Sequence, residues 1–184
     1  IKLISELPGV GKKSSERMAI RLIENNIPQK DLLKDINKTL NLLEIDSKTN
    51  IIIEKDKPNR IDSNKPLMIV MNNLEGIRMQ DLFKDSYNFF NLNINSISDI
   101  TKRINDNFLS ENLTTFITKN KISEIIFAFS PKAESEIIIR VLSSEIMKRT
   151  RDAKITKLAT GIPVGGLLEH IDSKTIRKAI ENRE

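Results

Sequence analysis

The sequence predicts an α/β protein in which a small helical region precedes a domain with a mostly parallel sheet. Two short, continuous apolar runs, PLMIVM at 66–71 and EIIFAF at 124–129, are typical of strands that are covered on both faces. A third strand candidate is KITKLA at 154–159. Helix candidates at 75–83 and 134–149 follow the first two strands, and this alternation indicates a parallel sheet.

The first 46 residues are predicted to be helical. A second helix candidate there has apolar residues one, three and four positions apart, which form one face: Leu32, Leu33, Ile36, Leu40 and Leu43. Residues 47–65 are mostly polar, and the three isoleucines at 51–53 predict a short strand that is followed by an exposed loop. The tail at 171–184 predicts a closing helix that Ser173 caps. We therefore divide the chain into segments 1–46, 47–65, 66–150 and 151–184.

Composition narrows the classes of partner and cofactor. The net charge of +5 and the pI of about 9.4 permit a polyanionic partner without requiring one. The chain has no cysteine, which excludes disulfides and thiolate zinc sites, and its single histidine, His170, excludes a site built from two histidines. No apolar run approaches the ~20 residues of a membrane span, and no signal peptide is recognised. We expect a soluble, cytoplasmic protein with no membrane contact.

The segment from Leu7 to Ile23 carries the first candidate site. Gly9 and Gly11 flank one residue in a tight turn that opens into a helix, whose first N–H groups and positive dipole end suit a phosphate. Lys13, Arg17 and Arg21 are spaced four apart and form one basic stripe along that helix, and Lys12 beside them is a further DNA-binding candidate. The segment resembles a helix-hairpin-helix motif, which binds the DNA backbone without reading bases. The alternative is a glycine turn with a solvated basic face.

Two further segments carry a more specific resemblance. LATGIPVGGLLEHIDSKTIRKAI at 158–180 resembles the C-terminal signature of the RecR family, and SPKAESE at 130–136 resembles that family's N-P-T-x-E-G-E loop. The signature positions that match most distinctively are Gly161, Pro163, Gly165, Gly166, Glu169 and Asp172. The order of helical hairpin, small insertion, Toprim domain and C-terminal segment covers nearly the whole chain.

The resemblance implies a recombination mediator rather than an enzyme. RecR proteins form ring-like oligomers, associate with RecO or RecF, and help to load recombinase onto gapped or single-stranded DNA. By this resemblance, Lys13 and Arg17 occupy DNA-binding positions, and residues 66–150 form the Toprim-like domain.

The chain departs from the family in three places. The family's four-cysteine zinc site falls in the interval 42–65, which has neither cysteine nor histidine, so we expect no zinc and assign its stabilising role to packing of Ile45 and the isoleucines at 51–53. Asn72 stands where we align the Toprim glutamate. The family's glycine-rich loop is replaced by NLNINSISD at 91–99.

Two other functions stay open. Glu134 and Glu136 are weak candidates for a magnesium site in a metal-dependent DNA-processing enzyme, although two solvated carboxylates at the start of a helix would give the same pattern. A degenerate family member that acts only as a protein scaffold is the other alternative. We expect no cofactor, and we give His170 no role beyond packing or an interface.

Overall fold

The computed structural model describes residues 2–6, 9–24, 29–94, 108–130, 132–150, 152–158 and 167–183. The chain divides into two compact units. The first comprises Ile1–Glu44 with Glu54–Asp56, and the second comprises Ile45–Ile53 with Lys57–Glu184.

The first unit is helical, as the sequence predicts. Its helices are α1 (Lys2–Ser5), α2 (Lys12–Glu24) and α3 (Gln29–Leu42). The expectation of helix up to residue 46 is wrong for the last few residues, because α3 ends at Leu42 and a strand, β1 (Leu43–Ile45), follows. This strand pairs with β2 (Ile52–Glu54) in a two-stranded sheet, and that pairing outweighs the helical spacing of Leu43.

The second unit is an α/β layer, which confirms the predicted fold class. In chain order its elements are β3 (Leu67–Val70), α4 (Asn73–Phe83), β4 (Asn88–Asn91), α5 (Phe108–Lys119), β5 (Glu124–Phe127), α6 (Ala133–Arg149), β6 (Lys154–Lys157), a 3-10 helix (Leu168–His170) and α7 (Ser173–Glu181). The strand order is β4-β3-β5-β6, and every pair is parallel. The three strands predicted for the parallel sheet are all present.

Strand β4 and helix α5 are the elements that the apolar pattern did not reveal. Strand β4 has the sequence NFFN, in which two buried phenylalanines lie between two buried asparagines. Asparagine is depleted in strands, so a propensity argument disfavours this segment. The polar ends are tolerated because both asparagine side chains find hydrogen-bond partners in the segment that precedes β3.

Apolar side chains cover both faces of the sheet. On one face, α5 and α6 contribute buried residues such as Phe116 and Leu142 to a core with Leu67 and Phe127. On the other face, α4 and the C-terminal segment contribute Leu168, Ile176 and Ile180 to a core with Met68, Val70 and Ile126. The C-terminal segment therefore supplies part of the cover of one sheet face. Among the described helices, none combines a membrane-spanning length with an apolar sequence.

The cap of α7 differs from the expectation by one residue. Asp172, rather than Ser173, is the N-cap, and its Oδ1 accepts from the backbone N–H groups of Lys174 at 2.9 Å and Thr175 at 3.1 Å. A carboxylate accepts these first-turn N–H groups and also favours the positive dipole end. The expected cap, Ser173, instead accepts a hydrogen bond from the Arg78 guanidinium.

Candidate nucleic-acid interface

The turn before α2 depends on one glycine in the left-handed region. Gly9 has φ of +78°, which glycine adopts without the steric penalty that a Cβ would bring. The carbonyl of Gly11 then accepts from the backbone N–H of Ser15 at 2.9 Å, which closes the first helical turn. Ser15 is buried, and its hydroxyl donates to the Lys12 carbonyl at 2.7 Å. Leu7 and Pro8 of the motif lie outside the described residues.

The four basic side chains of α2 are all exposed. They are Lys12, Lys13, Arg17 and Arg21, and in the described part of the chain none of them pairs with a carboxylate. The first-turn N–H groups of a helix have no intrahelical acceptor, so they add to the positive potential at this end. The structure therefore gives α2 an exposed basic N-terminal half.

An open groove of about 620 Å³ lies beside the same helix. Its described lining mixes basic and apolar side chains, namely Ser14, Arg17, Met18, Ile20, Arg21 and Glu24. The guanidinium groups of the stripe thus border an apolar surface.

The C-terminal signature is described only in its second half. Gly161, Pro163, Gly165 and Gly166 lie outside the described residues. Leu168 is buried, and its backbone N–H donates to the Ser130 hydroxyl at 3.1 Å. The end of the segment is fixed as well, because Arg183 contacts the Glu124 carboxylate at 2.6 Å.

A buried carboxylate that sequence reasoning missed joins this segment to the sheet. Glu75, only 3% exposed, accepts from the Ser130 hydroxyl at 2.7 Å and from the Met71 backbone N–H at 3.2 Å. Ser130 relays the contact, because its oxygen accepts from Leu168. The one signal in the sequence is the spacing Asn72-x-x-Glu75, a capping-box pattern, since Asn72 caps α4 by accepting from the Glu75 N–H at 3.0 Å.

Burial raises the pKa of Glu75 above its usual 4.5. The hydrogen bonds from Ser130 and Met71 oppose this rise, because they favour the charged carboxylate. The signature residue Glu169 adds a smaller repulsion that raises the pKa further. Glu169 itself is half-buried in the 3-10 helix.

The two magnesium candidates lie in the first turn of α6. Glu136 forms an ion pair with Lys157, whose Nζ is 3.1 Å from Oε1, and Glu134 is half-buried. Among the described residues, no three histidines, cysteines or carboxylates are grouped as metal ligands.

Comparison with known proteins decides the family. The N-terminal 36 residues match the RecR helix-hairpin-helix family, and residues 161–184 match the RecR C-terminal family. Across the whole chain, the recombination protein RecR of Francisella philomiragia is 30% identical, with 92% of that protein covered. The chain belongs to the RecR family.

Other RecR proteins are similar over the same extent. The recombination protein RecR of Pelagibacter ubique is 29% identical, with 91% of its length covered, and that of Psychrobacter cryohalolentis is 25% identical, with 94% covered. In both comparisons the whole of this chain is aligned. These relatives support a role of the chain in DNA recombination and repair.

The raised pKa of Glu75 predicts a pH-dependent stability. A raised pKa means that the folded protein binds the proton more tightly than the unfolded chain does. The contribution of protonated Glu75 to the free energy of unfolding is therefore complete below about pH 4.5. It is lost as the pH rises through the pKa that Glu75 has in the folded protein. We expect the unfolding free energy of the wild type, minus that of Glu75→Gln, to fall over this window in urea titrations at a series of pH values. A difference that stays constant with pH would contradict the burial of this carboxylate.

Proposed function

We propose that the chain is a recombination mediator that binds the DNA backbone through its helical hairpin and does not cut it. It acts with RecO or RecF to help load recombinase onto gapped or single-stranded DNA in the cytoplasm. The observation that carries the proposal is the exposed basic stripe on α2, in a segment that matches the RecR helix-hairpin-helix family.

The chemistry of the stripe favours phosphate over base recognition. Lysine and arginine side chains and the N–H groups of a helix N-terminus bind phosphate oxygens, and such contacts carry no sequence information. The described part of α2 has no aromatic side chain on which a base could stack. We therefore expect little sequence preference and an affinity that depends strongly on salt.

Two carboxylates of the α/β unit, and the residue that we align with the Toprim glutamate, support a role without cleavage. Glu136 is engaged by Lys157, and Glu75 is buried against Ser130 and the C-terminal segment. Asn72, which we align with the Toprim glutamate, caps a helix through its amide oxygen. These side chains already have structural partners, so they favour an architectural use of this sheet edge over a catalytic one.

A salt titration of DNA binding tests the proposal. We expect binding to single-stranded DNA that weakens steeply with salt. Lys13→Glu/Arg17→Glu should abolish it, or flatten the log–log slope by about 0.7 for each phosphate that the variant no longer neutralises. Fluorescence anisotropy with single-stranded, gapped and duplex DNA measures affinity, and gel analysis in EDTA and in magnesium shows whether the DNA stays intact.

Lys174→Glu/Lys178→Glu is the matched control, because it makes the same charge change at two exposed lysines of α7. An equal loss of affinity in both double variants would show that overall charge, rather than the hairpin, drives binding. Magnesium-dependent cleavage would favour the Toprim enzyme instead. No binding under any condition would favour the protein scaffold.

The first unit also supports the expected homo-oligomer. Its described apolar side chains are largely exposed on α2, α3 and the start of β1: Met18, Ile20, Ile23, Ile36, Leu40, Leu42 and Leu43. No described apolar residue of this unit is fully buried. Uncovered apolar surface of this extent indicates an interface, and the occupant we propose is a second copy of the chain. Assembly would also multiply the phosphate contacts of one hairpin.

A charge placed in this apolar surface should dissociate the oligomer. We expect a mass above that of one chain for the wild type in light scattering, and a lower mass for Leu40→Glu. Leu74→Glu on α4 is the control, because both leucines are 64% exposed on helices. A monomeric wild type, or an equal fall in mass for both variants, would contradict an interface on α2 and α3.

A further inference from the structure

Two parts of the segment that precedes the parallel sheet, residues 49–50 and 62–65, lie against the edge strand β4. The backbone N–H of Asn91 donates to the Thr49 carbonyl at 2.8 Å, and the Asn91 side chain donates to the Asn50 carbonyl at 3.2 Å. In the opposite direction, the side-chain amide of Asn50 donates to the Asn91 carbonyl at 3.3 Å. An edge strand leaves unpaired backbone groups on its open side, and residues 49–50 occupy that side here.

The other end of β4 holds the later part of the same segment. The side chain of Asn88 accepts from the Asp62 backbone N–H at 2.9 Å and donates to the carbonyls of Asp62 at 2.8 Å and Lys65 at 2.9 Å. Asn88 and Asn91 are both buried, so their polar atoms require hydrogen-bond partners. Those of Asn88 all lie in this segment, whereas the Asn91 side chain also pairs with Asn73 and Asn93. The two asparagines thus fasten the segment at two points.

Within the segment, three side chains close a loop. Asp46 accepts from the backbone N–H and the hydroxyl of Thr49, and the Asn59 amide donates to Asp46 at 3.4 Å and to the Thr49 hydroxyl at 3.1 Å. Thr49 is fully buried. The contact between Asp46 and Asn59 spans 13 positions and therefore joins both arms of the segment.

The residues of this segment do not fit the zinc site that its family implies. Zinc in such sites takes cysteine and histidine ligands, whereas the chain has no cysteine and its one histidine is His170. The Asp46 Oδ2 oxygen is already shared by donors of Thr49 and Asn59. Packing accounts for only part of the segment, because Ile51 is buried and Ile53 partly buried, but Ile45, which we expected to pack, is 61% exposed.

We infer that Asp46, Thr49 and Asn59, with Asn88 and Asn91, form a polar clasp that replaces the family's zinc. The clasp joins Asp46, Thr49 and Asn59 without metal and holds residues 49–50 on the open side of β4. All five residues belong to the second unit. Thr49, Asn88 and Asn91 are buried, and buried polar groups are costly to leave unpaired.

Hydrogen exchange of the full chain tests the clasp. We expect Asp46→Ala to accelerate exchange at the Thr49 and Asn91 amides by about tenfold or more, because both depend on the loop geometry that Asp46 holds. The amides of Leu67–Val70 in the central strand should keep their protection. Asp56→Ala is the control, since it removes an exposed aspartate from the same stretch.

A second variant, and exchange of the wild type measured with EDTA or with added zinc, complete the test. Asn59→Ala leaves the pair of Asp46 and Thr49 in place, so it reports on the clasp even where Asp46→Ala does not fold, and it should also accelerate exchange over residues 46–59. EDTA or added zinc chloride should leave exchange of the wild type unchanged. The inference is overturned by equal exchange in the clasp and control variants, or by zinc that remains bound in stoichiometric amount and protects the Thr49 amide.

Discussion

Both faces of the parallel sheet must be covered, and the rest of the α/β unit follows from this constraint. The four residues of β3 are all buried, so apolar layers are required above and below it. Helices α5 and α6 supply one layer, whereas α4 supplies only part of the other. The C-terminal segment completes it with Leu168, Ile176 and Ile180, and the family's C-terminal signature therefore lies where the second core needs a cover.

The sequence predicts the parts of the fold that apolar spacing determines. The strands β3, β5 and β6 and the helices that follow β3 and β5 are confirmed, because continuous apolar runs and helical spacing report burial directly. Strand β4 is not predicted, because asparagine is typical of turns and the hydrogen-bond partners of its two asparagines are distant in sequence. The basic stripe on α2 was predictable because residues four apart share a helix face.

Long-range hydrogen bonds explain what sequence reasoning missed. Glu75 and Ser130 are 55 positions apart, and Asn50 and Asn91 are 41 apart, so no local pattern relates them. In each case a buried polar side chain, Glu75 or Asn91, forms hydrogen bonds to a segment that apolar contacts hold only in part. The carboxylate of Glu75 holds the C-terminal segment through Ser130, and the asparagines of β4 hold the segment that precedes the sheet. Hydrogen bonds between buried polar side chains, at the edge strand β4 and after the central strand β5, thus hold segments around an apolar sheet.

The central claim is that the N-terminal half of α2 meets the DNA backbone. Hydrogen exchange of the full chain with and without a single-stranded oligonucleotide tests it most directly. The amides of Lys12, Lys13 and Ser14 lie in the first turn, where the helix itself supplies no acceptor. The account predicts that DNA slows their exchange while the amides of β3 are unaffected. Slowing confined to the second unit, with the start of α2 unchanged, would contradict it.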